Sequence, residues 1–334
     1  MNDIILLAHG SGGKLSHDLI EKRLLPSLAN PMLNRLDDSA IFEASGHLAF
    51  TTDSYVVSPI FFPGGDIGKL AVCGTVNVLS MNGAKPLYLS LSLIVEEGFS
   101  LSELDCIVRS IKAAAEEAEV NIITGDTKVV NQGQADKLFI NTSGIGAIPP
   151  GIDISGVNAK AGDKIILSGT IGDHGIAIMS QREGLKFEVP VESDCAPLNK
   201  LVAQMLESSP RIHCLRDPTR GGLATTLNEF ARQSNAGIMI EEDKIPIKEG
   251  VKAACELLGF DPIYVANEGK LVAIVEPDDA DKILTQMKQN SYGRDAAIIG
   301  EVTNDHPGRV IMRTKLGHSR IVDMLSGELL PRIC

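Results

Sequence analysis

Five aspartates lie where strand-like segments are expected to meet loops. They occur as Asp37 and Asp38 in LDDSAIF, Asp53 in TTDSYVV, Asp66 in PGGDIG and Asp126 in ITGDTK. Carboxylate oxygens suit Mg²⁺, which usually keeps several waters and bridges to the phosphates of a substrate. Separate loops that each carry a carboxylate therefore predict a shared magnesium–nucleotide site. The alternative is that these aspartates form turns and helix caps.

Four glycine-rich loops are a second feature suited to phosphate chemistry. Glycines let main-chain N–H groups approach a phosphate, especially at the start of a helix. The P-loop pattern G-x-x-x-x-G-K-[ST] is not met, since Lys14 is followed by Leu15, and G-x-G-x-x-G does not occur. A P-loop NTPase is therefore not supported. The loops are HGSGGK (9–14), FFPGGDIG (61–68), SGTIGDHG (168–175) and RDPTRGGLA (216–224).

The sequence ends with a thiol, Cys334, in LPRIC. A cysteine on a mobile terminal segment suits a carrier, because its sulfur can move into a pocket and out again. The alternative is a cysteine with no function at this position. The α-carboxylate of the same residue is expected to raise the thiol pKa, so a neighbouring cation or base must help to form the thiolate.

Composition excludes several classes of protein. The 334 residues carry a net charge of −12, and the absence of a long basic run argues against nucleic acid as the main partner. A hydrophobic content of 44% is globular and excludes disorder. The six cysteines form no C-x-x-C, so no zinc site is indicated. With no signal-peptide pattern and no membrane-length apolar run, we expect a cytoplasmic protein with reduced thiols.

The elements that must position these residues alternate between strand-like and helix-like segments, which predicts two α+β or α/β domains. The Pro- and Gly-rich stretch 149–163 predicts a linker. Ser100 with Glu103 predicts a helix N-cap, and the residues from Arg320 onward predict a weakly structured tail. Helices are predicted at 14–29, 68–80, 102–119, 174–183, 197–208, from 219, 248–258 and 278–290, and strands at 48–58, 88–95, 121–125, 137–148, 164–169, 237–241, 271–276 and 297–302.

Motifs spread from the first ten residues to Cys334 together resemble one family. They are LAHGSGGK, LDDSAIF, TTDSYVVSPIFFPGGDIG, GAKP, ITGDTKVV, RDPTRGGLA, NEGKL and the terminal PRIC. They are similar to the HypE hydrogenase maturation factors, carbamoyl dehydratases of the AIR synthase (PurM-like) ATP-binding superfamily. The resemblance implies an α+β, two-domain PurM-like fold. Residues 1–150 would bind ATP and contribute strands to a β-barrel at a homodimer interface, 151–318 would form the second domain, and 319–334 a flexible tail.

The resemblance also implies a reaction. The carbamoyltransferase HypF would place a carbamoyl group on Cys334, and ATP would phosphorylate the carboxamide oxygen. Loss of phosphate and of a nitrogen proton would leave a thiocyanate, whose cyano group passes to a HypC–HypD iron scaffold for the NiFe-hydrogenase. The chemistry is sound, because phosphorylation turns a poor leaving group into a good one and a base removes the nitrogen protons.

Residue roles follow from the same resemblance. Lys128 and Glu268 would orient and deprotonate the carboxamide on Cys334, and His9 and His174 are candidate proton carriers with structural roles as the alternative. The metal ligands would be Asp37, Asp38, Asp53 and Asp126, and the ATP contacts Gly12, Gly13, Lys14, Asp66, Lys69, Asn77 and Thr127.

One position departs from the superfamily pattern. Near GAKP the usual Asn-Asp is replaced by Asn77-Val78, and a valine cannot bind a cation. Either Asn77 and the other aspartates suffice, or the metal sites are fewer or weaker. Two alternatives to the dehydratase stay open: another PurM-like ATP-dependent amide-activating enzyme or kinase in which Cys334 is incidental, and a maturation scaffold without catalysis.

Overall fold

Two α+β domains, each built on one main sheet, make up the part of the chain that the computed structural model describes, namely residues 4–11, 14–36, 39–184, 191–325 and 332–334. The expected two-domain α+β fold is thereby confirmed. Among these residues no helix is both long and apolar enough to cross a membrane. Short 3₁₀ helices lie at Leu7–Gly10, Leu33–Arg35, Gly156–Asn158, Glu242–Lys244, Pro262–Tyr264 and Pro277–Asp279.

The first domain has a four-stranded sheet in the order β1-β6-β4-β5, in which only β4 and β5 run parallel. The helices α3 and α4 cover one face, where Leu89, Leu91 and Leu93 meet Leu104 and Ile107 in the core. The elements are α1 (Lys14–Leu19), a π-helical segment (Ile20–Leu24), α2 (Leu25–Leu28), β1 (His47–Tyr55), β2 (Phe61–Phe62), β3 (Gly65–Asp66), α3 (Ile67–Ser80), β4 (Lys85–Glu96), α4 (Leu101–Ala118), β5 (Asn121–Val130) and β6 (Leu138–Ile148).

The second domain has a seven-stranded sheet in the order β13-β12-β9-β11-β7-β10-β8. Its strands are short and mostly buried on both faces, which is typical of a sheet covered by helices. The elements are β7 (Lys164–Leu167), α5 (Asp173–Glu183), α6 (Asn199–Ser208), β8 (Ile212–Arg216), α7 (Gly222–Ser234), β9 (Gly237–Glu241), α8 (Glu249–Leu258), β10 (Val272–Val275), α9 (Ala280–Gln289), β11 (Ala297–Thr303), β12 (Val310–Arg313) and β13 (Ser319–Val322).

The predicted elements are present, and the structure differs from the prediction in additional strands and in where the tail begins. The Ser100 hydroxyl accepts a hydrogen bond from Glu103 N–H, 3.4 Å away, which confirms the predicted N-cap of α4. The strands β2, β3, β8, β12 and β13 were not predicted. Because β13 pairs with β12 at the edge of the second sheet, a tail beginning at residue 319 is wrong for residues 319–322.

Candidate active site

The last three residues of the chain lie against the first domain, antiparallel to the segment that follows β1. Val56 N–H donates to the carbonyl of Cys334 at 3.1 Å, and Ser58 N–H donates to the carbonyl of Arg332 at 3.2 Å. Ile333 is buried in the core of the first domain, and Cys334 packs against the same cluster. Residues 332–334, called the docked tail below, therefore hold the thiol at a fixed place.

Side chains from both domains secure the docked tail. The His174 Nε2 lies 2.8 Å from the carbonyl of Ile333, and because a carbonyl only accepts, Nε2 carries the hydrogen. The His174 Nδ1 then accepts from the Ser193 hydroxyl at 2.7 Å. Arg182 donates to the carbonyl of Arg332 at 3.1 Å, and Arg332 pairs with Asp136 at 2.7 Å.

His174 thus anchors the tail in this structure, which is the structural alternative to its role as a proton carrier. Its ring meets the Phe62 ring edge to face, with centroids 5.4 Å apart. Burial lowers the pKa of His174, so the imidazole is neutral at pH 7.

Four charged or acidic groups from three parts of the chain lie near enough to the Cys334 thiol to act on its pKa. Burial first, and then the nearby Glu268 carboxyl, raise the pKa of the Cys334 thiol to about 12, while Arg220 acts in the opposite direction. The carboxyls of Asp53 and Asp217 add to the upward shift. The thiol therefore keeps its proton at neutral pH. We call these residues the Cys334 pocket: Cys334, Asp53, Asp217, Arg220 and Glu268.

Glu268 is the predicted catalytic residue that the fold brings to the sulfur. It is 4% exposed, and in the described part of the structure its Oε1 is buried without a hydrogen-bond partner. Burial and the acidic neighbours, Cys195 and Asp217 foremost, raise its pKa well above the usual range. A neutral carboxyl with an unpaired oxygen is therefore available to a polar group carried on Cys334.

A buried ion pair fixes the backbone at Glu268. Asp194 accepts from Glu268 N–H at 3.1 Å and from Gly269 N–H at 3.2 Å, and its carboxylate lies 3.3 Å from the Lys270 ammonium. Burial alone would raise the pKa of Asp194, but the Lys270 charge and further contacts hold it below its usual range. The carboxylate of Asp194 thus stays ionised and keeps both backbone bonds.

Asp217 is a member of the Cys334 pocket that the sequence analysis missed. Burial raises its pKa to about 6. It also lines a cavity of about 370 Å³ beside Val78, the position where the superfamily usually has a carboxylate. The signal was present in the sequence, because Asp217 stands in the glycine-rich loop RDPTRGGLA at the same kind of position as the five predicted aspartates.

A second group of predicted residues lies elsewhere, on β5. Asp126, Thr127 and Lys128 line a cavity of about 270 Å³ together with His9 and a largely leucine wall, here called the β5 cavity. The Lys128 ammonium donates to Asp126 at 2.8 Å, and this hydrogen bond lowers the pKa of the carboxyl. Lys14, at the start of α1, is exposed.

The two groups are separated within one chain. Asp53 lies on β1 and pairs with Thr142, which faces α3, whereas Asp126 lies on β5 in the row of Ser92, on the other face. The strands β1 and β5 are the opposite edges of the sheet, about 14 Å apart at three strand spacings. A single chain therefore does not bring Lys128 beside Cys334 or Asp53 beside Asp126.

The remaining predicted ligands have local partners or lie outside the described residues. Asp66 caps α3 by accepting from Gly68 N–H at 2.7 Å and Lys69 N–H at 3.0 Å, and the Lys69 ammonium donates to the carbonyl of Gly64 at 3.0 Å. Within the described ranges no group of three or more His, Cys, Asp or Glu side chains could hold a metal. The positions outside those ranges are Gly12, Gly13, Asp37 and Asp38.

Asn77, a predicted ATP contact, lies between the two domains and is hydrogen-bonded to two segments of the second domain. It is 1% exposed, its oxygen accepts from Leu198 N–H at 2.7 Å, and its amide group donates to the carbonyls of Ala196 at 3.0 Å and Glu268 at 3.4 Å. Asn77 therefore fixes the position of the Glu268 segment relative to α3.

The two domains of the chain both belong to one class of proteins. Residues 36–148 match the family model of the AIR synthase related protein, N-terminal domain, and residues 160–313 match that of the C-terminal domain.

Individual relatives narrow this class. Carbamoyl dehydratase HypE of Bradyrhizobium diazoefficiens is 55% identical over 335 residues, covering 100% of this chain and 97% of the relative. A solved structure of the hydrogenase maturation protein HypE in complex with ATP superposes with a TM-score of 0.96 at 50% identity, covering 98% of this chain and 99% of that one. The solved structure of a HypE–HypF complex superposes with a TM-score of 0.82 at 51% identity, covering 92% of this chain and 99% of that one. The chain belongs to the HypE family of carbamoyl dehydratases.

Proposed function

We propose that this protein dehydrates a carbamoyl group carried on the Cys334 sulfur, at the expense of ATP, to a thiocyanate that supplies cyanide ligands for the NiFe-hydrogenase iron. One observation carries the proposal. The terminal thiol is docked beside the buried Glu268 carboxyl, whose Oε1 has no hydrogen-bond partner in the described structure. The N–H of a carboxamide on Cys334 would supply that missing donor.

The reaction balances as an activation followed by an elimination. The carboxamide oxygen attacks the γ-phosphorus of ATP, ADP leaves, and a C–O–P bond forms. Inorganic phosphate then leaves with the former amide oxygen while nitrogen gives up its protons, so that S–C≡N remains. Cys334 is half-buried and Glu268 is buried, which limits the water that could intercept the phosphorylated amide.

Glu268 is the proposed base for the nitrogen protons. It must be ionised to accept a proton, and its raised pKa makes it a strong base once ionised. Arg220, on the adjacent loop, provides positive charge near the sulfur, where phosphate leaves with negative charge. Asp217, with a pKa of about 6, belongs to the Cys334 pocket and also lines the cavity beside Val78, so it can pass protons outward.

ATP is proposed to bind through the first domain, with its phosphates near Asp126, Thr127 and Lys128. Lys128 supplies charge there, and the exposed Lys14 lies close in sequence to the predicted contacts Gly12 and Gly13. Mg²⁺ fits this donor set, because it is commonly held by one or two carboxylates together with substrate phosphates. When bound, it would neutralise phosphate charge, and Asp126 would hold it here. Asp53 belongs to the Cys334 pocket.

The proposed partners follow the resemblance. HypF would load the cysteine, and a HypC–HypD complex would accept the cyano group. A homodimer is supported by the open face of the first sheet, where Phe50 is 70% exposed and Leu48 and Ile94 are about two-fifths exposed. An apolar sheet face and a free β1 edge of this kind need cover, which a second copy provides.

Intact-mass measurement tests the reaction class. After incubation with HypF, carbamoyl phosphate and ATP, the chain should first gain one carbamoyl group and then lose one water. Cys334→Ala should gain nothing, whereas Cys106→Ser, which removes an exposed cysteine, should behave as the unaltered chain does. Turnover of ATP by Cys334→Ala with another amide substrate would instead favour a different amide-activating enzyme.

A further inference from the structure

The side chain of Asn267 joins three loops of the second domain. Its Oδ1 accepts from Gly172 N–H at 2.7 Å. Its Nδ2 donates to the carbonyls of Pro218 at 2.9 Å and Val265 at 3.1 Å. Asn267 is 0% exposed, and both N–H groups and the oxygen of its amide are used. We call this set of contacts the three-loop junction.

Each of the joined loops carries a group that faces the docked tail. The loop at Gly172 continues into α5 with His174, which holds the carbonyl of Ile333. The loop at Pro218 carries Asp217 and Arg220, and the third loop carries Glu268 next to Asn267 itself. The groups that the second domain contributes to the Cys334 pocket thus lie on loops that meet at one amide.

Backbone contacts at the junction make this arrangement tight. Asn267 N–H also donates to the carbonyl of Pro218 at 3.1 Å, and Gly175 N–H donates to the carbonyl of Ala266 at 3.1 Å. A Cβ on Gly222, at the end of the Pro218 loop, would lie 2.6 Å from the carbonyl oxygen of Ile263. The loops therefore approach so closely that a shift at one is passed to the others.

We propose that Asn267 is a positioning residue for the dehydration: its amide sets the mutual placement of Glu268, the Asp217–Arg220 pair and the His174 anchor around Cys334. The inference rests on the proposed function. An asparagine is required because one acceptor and two donors must act from a single planar group. Aspartate has the same shape but, when ionised, no donor, so it would repel the carbonyls of Pro218 and Val265. A displacement of the reactive groups by about 1 Å lowers the reaction rate by about 100-fold.

The test compares Asn267→Asp with a matched control in the same domain, Asn228→Asp. Asn228 is also buried, and its amide donates to the carbonyls of Ala224 and Val322, both at 2.9 Å, away from the docked tail. Both variants lose the two buried N–H donors of a side-chain amide, but only Asn267→Asp alters the three-loop junction. Two quantities are measured on HypF-loaded protein: the single-turnover dehydration rate and the ATP concentration that gives half that rate. A third, the alkylation rate of Cys334 by iodoacetamide, is measured by peptide mass on unloaded protein.

We expect the dehydration rate of Asn267→Asp to fall by about 10- to 100-fold at saturating ATP, with an unchanged half-saturating ATP concentration. Alkylation of Cys334 should become faster, because the displaced His174 holds Ile333 less firmly. Asn228→Asp should resemble the unaltered protein in all three quantities. A folded Asn267→Asp that dehydrates at the normal rate overturns the inference, as does an equal loss in Asn228→Asp.

A second variant covers the case in which Asn267→Asp does not fold. Asn267→Ser keeps one donor and one acceptor, so a smaller fall in rate and a smaller rise in alkylation are expected, and a folded variant with neither change overturns the inference. If the unaltered protein itself fails to dehydrate, the proposed function is wrong. The alkylation comparison still decides whether Asn267 positions the groups around Cys334.

Discussion

At Cys334 and Glu268, burial acts on two acids that both keep their protons at neutral pH. The thiol has a pKa of about 12 in the docked tail, so the docked position does not favour the thiolate. A carbamoylated sulfur has no proton to lose and no charge to bury. The Cys334 pocket is therefore suited to the loaded cysteine, and loading itself requires conditions in which the thiolate is better solvated.

Replacing Glu268 by Gln should slow dehydration by about 100- to 10,000-fold, because the amide fills the same space but accepts no proton. Since a base works in its ionised form and the Glu268 pKa is raised, the rate of the unaltered protein should increase with pH up to values above those of an ordinary glutamate. The variant should lose this rise. Single-turnover rates across pH measure both effects, and Glu301→Gln, an exposed residue on β11, is the control.

A variant with the same rising limb as the unaltered protein would show that the limb belongs to another group. In that case Asp217, whose pKa of about 6 is also raised by burial, is the next residue to replace.

His174→Phe should loosen the docked tail. Phenylalanine keeps a ring against Phe62 but cannot donate to the carbonyl of Ile333. Alkylation of Cys334 should therefore become faster while alkylation of the exposed Cys106 stays the same, which peptide mass measures within one sample. The control is His47→Phe, at an exposed residue of β1. Equal alkylation rates of Cys334 in the two variants would contradict the anchoring role of His174.

Among the elements, the packing of β1 on α3 governs where the docked tail can lie. A Cβ on Gly74 of α3 would lie 2.4 Å from the Tyr55 hydroxyl oxygen, at the end of β1. Tyr55 is buried, and its hydroxyl lies 3.2 Å from that of Thr75. A glycine at this position therefore allows the strand to meet the helix just before the segment that pairs with the docked tail.

Gly74→Ala should lower the free energy of unfolding by about 1–3 kcal/mol, because the added methyl group overpacks this contact. Tyr55→Phe removes the nearest atom, so the same glycine substitution should cost less in that background. Urea unfolding of the two single variants and the double variant measures the coupling. Fully additive effects would mean that the Tyr55 hydroxyl does not limit the contact.

The elements could be predicted from sequence where local pattern decides them. The amphipathic helix α4 with its Ser100 cap is an example, whereas β12 and β13 are four residues long and are fixed by pairing with β9 and with each other. At the site, Asp66 is an example, since helix capping was the stated alternative for the aspartates and Asp66 caps α3. Asp217 and Asn267 were missed because their roles depend on contacts between loops 49 or more residues apart, which no local spacing contains.

At the scale of the whole molecule, one chain does not assemble all the predicted residues. Lys128 lies at the β5 edge of the first sheet, on the face away from α3, while Cys334 lies beyond the end of β1 at the other edge. The open face between them carries the exposed Phe50 and Ile94. A second copy that joins edge to edge would cover this face and set its own β5 beside the β1 of the first copy.

Mixing two inactive variants tests whether the copies share a site. Lys128→Ala keeps Cys334 and can be loaded, whereas Cys334→Ala keeps Lys128; neither should dehydrate alone. If Lys128 acts on the cysteine of the other copy, random 1:1 mixing should let about half of the loaded Lys128→Ala chains lose water, because half of them then pair with a Cys334→Ala copy that supplies Lys128. Single-turnover mass measurement on loaded Lys128→Ala follows the loss of water, with the loaded variant alone as control. No recovery, in dimers shown by native mass to be mixed, would mean that Lys128 serves only ATP on its own chain.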